Sequence, residues 1–550
     1  MTLLSLLVAL LAISCGKQMI SETLPVEYVQ NRLAQFAPVN MTCDLSHMPD
    51  AEIQVVKLLV KAAEQMNTIF MLQVYENNLN LLDELKASPE LYDPAYLDLF
   101  QVMMGPWDRL EENKPFLNTL AKAPGANFYP SNITKDDIEH WLSSHPEDRA
   151  PFESEYTIIR RKGSSLAAIP YSEYFKDRLK PTADLLRKAA NQTSDQSLKI
   201  YLTGRAEALL SNDYYQSDMD WMDLSGNIEV VIGPYEVYED HLFGYKAAYE
   251  SFVCVVDADE TRKLQEITQH LKDMEANLPI PDAHKNFNRG STVPIKVVNE
   301  VYNSGDARAG VQTIAFNLPN DERVREAKGF KNVLLKNVMR AKFDNIMIPI
   351  ASAFLEQQEI ERVSFDGFFT HTLMHEISHG LGPGNITVNG RETTVRAELK
   401  ELYSVIEECK ADVLANYNTQ FLINQGVLPK SAESTLYATY LGGMFRSIRF
   451  GIDEAHGGGT AIQLNWCLDK GGFERGQDGR FSVNRRRLVS AIRELARELL
   501  IIQATGDYAA ASDLVSEYRV IDPDIGRALA SLEGVPVDIR PIFPIEKEID

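Results

Sequence analysis

The chain has 550 residues, 45% hydrophobic and 24% charged, which is the composition of an ordinary folded protein. This length exceeds what one compact core usually holds, so we expect two lobes or domains. The net charge of −23 argues against nucleic-acid binding, which needs a basic surface, and suits partners with cationic ends.

The N-terminus resembles an export signal. Its largely apolar run from Leu3 to Ile13 is too short to span a bilayer as a helix and is typical of a signal-peptide core. Small and aliphatic residues at 12–14 precede Cys15, as in a bacterial lipobox. We therefore expect 1–15 to be a signal peptide with a lipobox-like cysteine on an exported lipoprotein, periplasmic or membrane-anchored. The protein is cytoplasmic if this segment is not a signal.

Three stretches with different residue patterns follow. Apolar residues at helical spacing, as in AEIQVVKLLVKAAEQMNTIFMLQVY, predict mostly helix from about 20 to 220. From about 226 to 318, β-branched runs such as FVCVVD and PIKVVNEVYN predict a compact β core with one helix inside it. From about 330 the pattern is helical again. The fold class is therefore α+β, with helical segments around a β core.

The second helical stretch contains the motif His375-Glu376-Ile377-Ser378-His379. On an α-helix, His375 and His379 lie one turn apart on one face, where their imidazoles can bind one Zn²⁺. Glu376 lies beside them and can accept a proton from water. Catalytic zinc needs a third protein ligand, and the position where a metzincin has a histidine is Asn385, a poor zinc ligand.

A later acidic helix offers the missing ligand. The segment ELYSVIEECKADVLANY contains the adjacent Glu407 and Glu408, and Asp412 follows one helical turn after Glu408. Glu408 and Asp412 share a helix face, so one can bind zinc while the other accepts the free N–H of a ligand histidine. Glu407 points about 100° away and is a candidate for a supporting contact.

Four segments resemble the dipeptidyl-peptidase III family of zinc metallopeptidases. EECKAD at 407–412 is similar to the family's EEC[RK]A[DE] segment, whose second glutamate is the third zinc ligand. Residues 233–253, 316–338 and 454–468 are similar to three further family segments in the same order. HEISH departs from the family's usual HExxGH, and Thr460 stands where an arginine usually follows the active-site histidine by four positions.

The resemblance implies a zinc exopeptidase that releases dipeptides from the free N-terminus of short peptides, by attack of a zinc-activated water. It implies one Zn²⁺ per chain and separate roles for metal-binding, catalytic, supporting and substrate-binding side chains. The metal ligands are His375, His379 and Glu408, the catalytic residues Glu376, Tyr238 and His456, the supporting residues Glu407 and Asp412, and the substrate-binding residues Glu236, Glu250, Asn317 and Asn320.

The resemblance also implies two lobes separated by a wide cleft: a mostly helical zinc-binding lobe and a second lobe with a β-barrel-like core plus helices. We assign 20–320 mainly to the β-core lobe with its N-terminal helices, 321–510 to the helical lobe, and 511–550 to a C-terminal segment packing back near the lobe interface. We expect a monomer that binds short peptides and no nucleic acid, and that meets a membrane only through a lipid anchor at Cys15. A zinc endopeptidase and a peptide-binding lipoprotein with little turnover remain alternatives.

Overall fold

A computed structural model describes residues 19–287, 294–530, 532 and 534–549. The predicted signal peptide and Cys15 lie outside these residues. Within the described chain, helices and strands alternate in two lobes, and the predicted mixed class of helices around a β core is confirmed. None of the described helices is long and apolar enough to cross a membrane.

Helices make up most of the described chain. A π-helical turn at Phe343–Met347 separates α14 from α15, and one of several short 3₁₀ turns occupies Asp306–Arg308. The helices are α1 (Val26–Leu33), α2 (Asp50–Val74), α3 (Asn78–Ala87), α4 (Pro94–Met103), α5 (Lys135–Ser144), α6 (Arg149–Glu153), α7 (Tyr171–Tyr174), α8 (Lys176–Gln192), α9 (Gln196–Ser211), α10 (Tyr215–Met222), α11 (Ala258–Thr268), α12 (Leu271–Asn277), α13 (Glu322–Lys328), α14 (Lys336–Lys342), α15 (Ile348–Phe354), α16 (Gln357–Ile360), α17 (Phe365–His379), α18 (Val395–Leu399), α19 (Tyr403–Asn424), α20 (Ala432–Ile448), α21 (Ala455–Asp469), α22 (Arg485–Thr505), α23 (Tyr508–Tyr518) and α24 (Pro523–Ala530).

The strands form one larger sheet and several two-stranded ribbons. They are β1 (Phe36–Asn40), β2 (Trp107–Asp108), β3 (Lys114–Pro115), β4 (Thr157–Lys162), β5 (Ser165–Pro170), β6 (Ile228–Glu236), β7 (Ala248–Val256), β8 (Ile295–Gly305), β9 (Ala315–Leu318), β10 (Lys331–Leu335), β11 (Asn385–Val388), β12 (Arg391–Thr394), β13 (Phe473–Arg475), β14 (Phe481–Val483) and β15 (Asp538–Ile542).

A five-stranded sheet in the order β6-β7-β8-β10-β9 is the core of the first lobe. Strands β6, β7 and β8 pair antiparallel, β10 runs parallel to β8, and β9 pairs antiparallel with β10. Most residues of β6 and β7 are buried, since α2 packs across the sheet, which explains their continuous β-branched runs. Strand β9 is left at the edge of this sheet, beside the second lobe.

Strand β10 lies beyond 320/321, the predicted lobe boundary, and belongs to the five-stranded sheet of the first lobe. The strand is hidden in the sequence because it begins with the polar residues Lys331 and Asn332. Lys331 is buried all the same, since its ammonium pairs with Glu229 at 3.0 Å and lies 3.8 Å above the Trp221 ring. The β4–β5 hairpin likewise interrupts the stretch predicted to be mostly helical.

The second lobe is built around α19. Helices α17, α21 and α22 pack against it, and α20 covers α17 and α21. The chain then returns to the first lobe, where β15 pairs parallel with β1. Asp538, at the start of β15, is buried and pairs with Lys342 at 2.9 Å, so the C-terminal segment lies next to the junction of the two lobes.

Candidate metal centre and active site

Two facing helices, α17 and α19, bring three metal-ligating side chains together. The Nε2 atoms of His375 and His379 lie 3.1 Å apart, and Glu408 Oε2 lies 3.3 Å from the first and 3.6 Å from the second. One ion at zinc's usual bond lengths of about 2.0–2.2 Å can touch three atoms at these separations. The regular helix accommodates the five-residue HEISH spacing without a bulge.

The other nitrogen of each histidine is held by a carboxylate. Asp412 Oδ1 lies 2.7 Å from His375 Nδ1, and Glu407 Oε1 lies 2.9 Å from His379 Nδ1. Ionised carboxylates only accept hydrogen bonds, so each Nδ1 carries the hydrogen and each Nε2 presents a lone pair. Two lone pairs then face one another beside the buried Glu408 Oε2. This donor set fits a cation such as Zn²⁺ and would repel itself without one.

His456 lies beside this centre, at the start of α21. Its Nδ1 is 3.0 Å from Glu408 Oε2, and its side chain is otherwise exposed. Glycines 457–459 are typical of a loop, yet here they begin a helix and allow α21 to approach α19 closely. A Cβ on Gly459 would lie 2.9 Å from the backbone nitrogen of Cys409. The glycines therefore allow His456 to lie next to Glu408 on α19.

A cavity of about 380 Å³ opens beside His375, one of the three candidate ligands. Glu376, His375 and His456 line one end of it, and Thr460 and α20 residues continue its wall. Residues 313–315, which lead into edge strand β9, close it from the first lobe. The cavity thus lies between the two lobes, with Glu376 exposed to whatever enters it.

An acidic cluster lies in the first lobe, at the end of β6. Glu236, Glu250 and Asp306 influence one another's charge, and burial raises the pKa of Glu250 and that of Asp306, the latter to about 7. The nearby cations Arg109 and Lys122 are taken by Glu239, at 2.8 and 2.6 Å. The cluster therefore carries more carboxylates than cations and is suited to an ammonium group.

The remaining predicted residues lie at or near this cluster. Asn320 donates to Tyr235 O at 3.0 Å and lies 3.4 Å from Glu236 Oε1. Tyr238 is 75% exposed, and its pKa is raised first by the charge of Glu236. Asn317 is exposed on β9. Tyr238 is not among the residues lining the cavity beside Glu376, so the structure leaves it apart from the metal centre.

Comparisons with known proteins identify the family. A family model described as peptidase family M49 matches residues 135–389. The structure of DPP III from Caldithrix abyssi shares 53% sequence identity, covers 95% of this chain and 100% of its own, and superposes with a TM-score of 0.92. The chain belongs to peptidase family M49. It is a peptidase of the M49 type, and a metallo-exopeptidase.

Two curated relatives differ in length from this M49 peptidase. "Nudix hydrolase 3" of Arabidopsis thaliana is 38% identical over 576 residues, which is 95% of this chain and 74% of that protein. About a quarter of the plant protein therefore lies outside the match. Dipeptidyl peptidase 3 of Nematostella vectensis is 25% identical over 386 residues, 60% of this chain and 50% of that protein. The match thus spans half of this second relative's length.

Sequence reasoning missed Lys410, which lies beside the candidate metal centre and contacts Glu407. Its ammonium is buried and lies 2.7 Å from Glu407 Oε1, 3.0 Å from Ser378 O and 3.2 Å from Leu381 O. It therefore neutralises the carboxylate that orients His379, and it also donates hydrogen bonds to the carbonyls of Ser378 and Leu381, at and just beyond the C-terminal end of α17. Burial alone would raise the pKa of Glu407, but Lys410 and His379 hold it at about 2.

Three further side chains extend the network. Gln503 donates to Glu407 Oε2 at 2.8 Å, and Gln463 donates to Asp412 Oδ2 at 3.0 Å. His371 Nε2 lies 3.3 Å from Asp412 Oδ1. His371 precedes His375 by four residues, so the same helical spacing that predicts the zinc pair could have found it. The two glutamines lie on separate helices, and no local pattern indicates them.

The close approach of α21 to α19 predicts the effect of Gly459→Ala. The added methyl group meets backbone atoms of α19, so we expect a loss of about 1–3 kcal/mol in the free energy of unfolding and a lower kcat as His456 moves from Glu408. Urea denaturation and steady-state kinetics measure both. Gly526→Ala in α24 is the matched control, since its Cβ would find only Ile521 at 3.4 Å. Equal stability of the two variants would contradict the role of Gly459.

Proposed function

We propose that this M49 peptidase is a zinc-dependent exopeptidase that releases dipeptides from the free N-terminus of short peptides. The observation that carries the proposal is the pair of histidines whose Nδ1 atoms are held by Asp412 and Glu407, while both Nε2 atoms converge on Glu408. A second support is the uncompensated acidic cluster at the end of β6. One site suits the chemistry and the other suits the substrate's ammonium group.

Each catalytic residue has a distinct task in this proposal. Zinc held by His375, His379 and Glu408 supplies Lewis-acid activation of water and of the scissile carbonyl. Glu376 accepts the proton of the attacking water and passes it to the leaving amine. Because His456 Nδ1 lies against Glu408, its Nε2 is the atom left to donate to the carbonyl oxygen as negative charge develops there.

Tyr238 adds a second donor to the same oxygen once the lobes approach each other. Its hydroxyl is exposed on the first lobe, apart from Glu376, and its raised pKa keeps the proton available for donation at neutral pH. Closure of the cleft would also exclude water from the reacting groups. The position of Tyr238 outside the cavity that Glu376 lines then corresponds to the open, substrate-accepting arrangement.

The acidic cluster determines the length of the released fragment, because it fixes the position of the substrate's N-terminus. Glu236, Glu250 and Asp306 hold the terminal ammonium, and Asn317 and Asn320 bind the main chain beside it. With the ammonium fixed at one distance from Glu376, the second peptide bond is the one that meets the attacking water. The same fixed distance distinguishes dipeptide release from cleavage after one residue.

Blocking the substrate's N-terminus tests the proposal. We expect zinc-loaded enzyme to cleave a dipeptidyl-arylamide and to cleave its N-acetylated form at least about 100-fold more slowly, because the block removes the charge that the cluster binds. Release of the arylamine measures both rates. A zinc endopeptidase would cut both substrates alike, and a binding protein with little turnover would bind the free peptide without releasing a dipeptide.

The raised pKa of Asp306 predicts how substrate binding depends on pH. The pKa is about 7, so Asp306 gains its charge as pH rises through neutrality, and KM for a peptide should fall over the same range. Above about pH 8 the substrate's ammonium loses its proton and KM should rise again. Asp306→Asn should flatten the acidic limb of the KM profile, measured from pH 5.5 to 9.

The stability of the Asp306→Asn variant is its control. The folded protein holds the Asp306 proton more tightly than the unfolded chain does, so ionisation lowers the free energy of unfolding as pH rises from about 4 to 7. The asparagine variant lacks this loss and should be at least as stable above pH 7. An unchanged KM profile in a folded variant would remove Asp306 from the binding site.

We also propose, on the lipobox-like sequence alone, that the protein is an exported lipoprotein attached through Cys15, and that it acts as a monomer on short peptides. Cys15→Ser should move the enzyme from the membrane fraction to the soluble fraction with its activity intact. Recovery of the unaltered protein in the cytosolic fraction would overturn the export proposal.

A further inference from the structure

Arg446 is a cation without a partner on the wall of the active-site cavity. It lies on α20, its Nε is buried without a hydrogen-bond partner, and its guanidinium forms no ion pair with the residues that the structure describes. The guanidinium carbon lies 6.0 Å from the centre of the Phe368 ring. Burial of an unpaired charge costs free energy, which an anion entering the cavity would offset.

The carboxylate whose charge reaches Arg446 is already occupied. Asp538 raises the pKa of Arg446, against the larger effect of burial, which lowers it. Both oxygens of Asp538 are taken, by Lys342 at 2.9 Å and by the backbone N–H of Gln312 at 2.6 Å. Arg446 therefore lies near a structural ion pair, while its guanidinium lines the cavity and has no ion-pair partner among the described residues.

The separation between Arg446 and Glu376 along α17 sets how many peptide residues fit between the cleaved bond and the guanidinium. Phe368, under the guanidinium, precedes Glu376 by two turns of α17, and Thr372 between them lines the same cavity. Eight residues of helix rise about 12 Å. An extended peptide advances about 3.3 Å per residue, so three or four residues separate a bond cleaved at Glu376 from a group bound at Arg446.

Edge strand β9, in the first lobe, gives a similar length for the stretch of peptide between the cleaved bond and Arg446. The proposed ammonium site lies beside Asn320, at the C-terminal end of β9, so a peptide lying along this strand must run antiparallel to it. Two residues from Asn320 it passes Leu318, the last residue of β9, and it then reaches residues 313–314, which line the cavity with Arg446. From Leu318 to Ile314 the strand direction spans about 13 Å.

Thr460 supports this assignment. The arginine expected four positions after His456 is missing, and the Thr460 hydroxyl is bonded to His456 O at 2.8 Å. Thr460 lines the same cavity as Arg446 but offers no charge. Among the described residues lining the cavity, Arg446 supplies the guanidinium.

We infer that Arg446 binds the C-terminal carboxylate of the substrate, so that the enzyme selects peptides of about five or six residues with both ends free. The inference rests on the proposed function, since it takes the ammonium site and the cleavage point from there. It assigns a specificity-determining residue on the leaving-group side of the cleaved bond, which the acidic cluster cannot supply.

Matched peptide acids and peptide amides test the inference. For five- and six-residue peptides, we expect kcat/KM for dipeptide release to be about tenfold or more higher for the acid than for the amide of the same sequence. Arg446→Leu should bring this acid-to-amide ratio close to one, and Arg446→Lys should retain part of it. Arg497→Leu, on an exposed face of α22, is the matched control and should keep the full ratio.

Three outcomes would overturn the inference. The first is a wild-type enzyme that does not distinguish acid from amide. The second is an Arg446→Leu variant that keeps the ratio. The third is an equal loss for both substrates in folded Arg446→Leu and Arg446→Lys, which would make Arg446 a structural residue. Thermal unfolding shows whether each variant is folded.

The dipeptidyl-arylamide, which has no carboxylate, separates this inference from the proposed function. If the arylamide is cleaved while acids and amides are equivalent, only the role of Arg446 is wrong. If the arylamide is not cleaved, the exopeptidase proposal fails, and calorimetric binding of the same acid and amide then decides the role of Arg446. Equal binding of the two would overturn it.

Discussion

Glu376→Gln lowers dipeptide release by about 10²- to 10⁴-fold while zinc stays bound, because it removes the proton acceptor and none of the three ligands. The amide keeps the size of the side chain at the cavity wall but accepts no proton at neutral pH. The kcat for a dipeptidyl-arylamide measures the loss, and metal analysis after dialysis measures zinc content. One zinc ion per chain is expected in both proteins.

The matched control is Glu498→Gln, an exposed position on α22. It removes the same charge far from the cavity and should leave both kcat and zinc content at the wild-type level. Full activity in the Glu376→Gln variant would contradict the assigned role of Glu376. Loss of zinc together with activity would instead place Glu376 among the groups that retain the metal.

Lys410→Met destabilises the protein by about 3–5 kcal/mol, because it leaves the buried Glu407 carboxylate without its cation and removes a hydrogen bond from each of the Ser378 and Leu381 carbonyls. Methionine fills a similar volume, so the loss is not that of packing. Zinc affinity should also fall by about 10- to 100-fold, since Glu407 is then no longer held against His379. Urea denaturation and competition with a chelator measure the two effects.

Lys188→Met, on an exposed face of α8, is the control for removing a lysine from a helix. It should change the free energy of unfolding by no more than about 0.5 kcal/mol. If Lys410→Met keeps both its stability and its zinc affinity, the ammonium does not support the metal centre. If stability falls but zinc affinity does not, Lys410 stabilises only the C-terminal end of α17 and not the metal centre.

The candidate metal ligands could be proposed from the sequence because each lies in a local pattern. His375 and His379 are one turn apart, and Glu408 lies on a helix whose residues resemble a family segment. Lys410 lies in the same segment, but its role depends on carbonyls at the end of α17, about 30 residues earlier, which no local pattern reveals. From sequence alone, a lysine in an acidic helix is interpreted as a solvent-exposed charge, because the helix that packs against it is not known.

The first lobe shows the same limit. Long β-branched runs predicted β6, β7 and β8, because buried strands are apolar along their whole length. Strand β10 begins with Lys331, and its burial depends on the distant Glu229 and Trp221. Asp306 and Arg446 are further cases, since each depends on charges contributed by elements far away in sequence.

The ion pair between Lys342 and Asp538 joins the two places where the chain passes between lobes, one after β10 and one before β15. Two adjacent crossings leave the lobes a single axis about which to turn. Gln312, bonded to Asp538, lies on this axis, so the end of the cavity near Thr313 and Arg446 stays nearly still during that rotation. We expect the end that carries Glu236 and Tyr238 to sweep the larger arc. The C-terminal carboxylate of a peptide would then bind while the cleft is open, and its N-terminal ammonium would bind as the cleft closes.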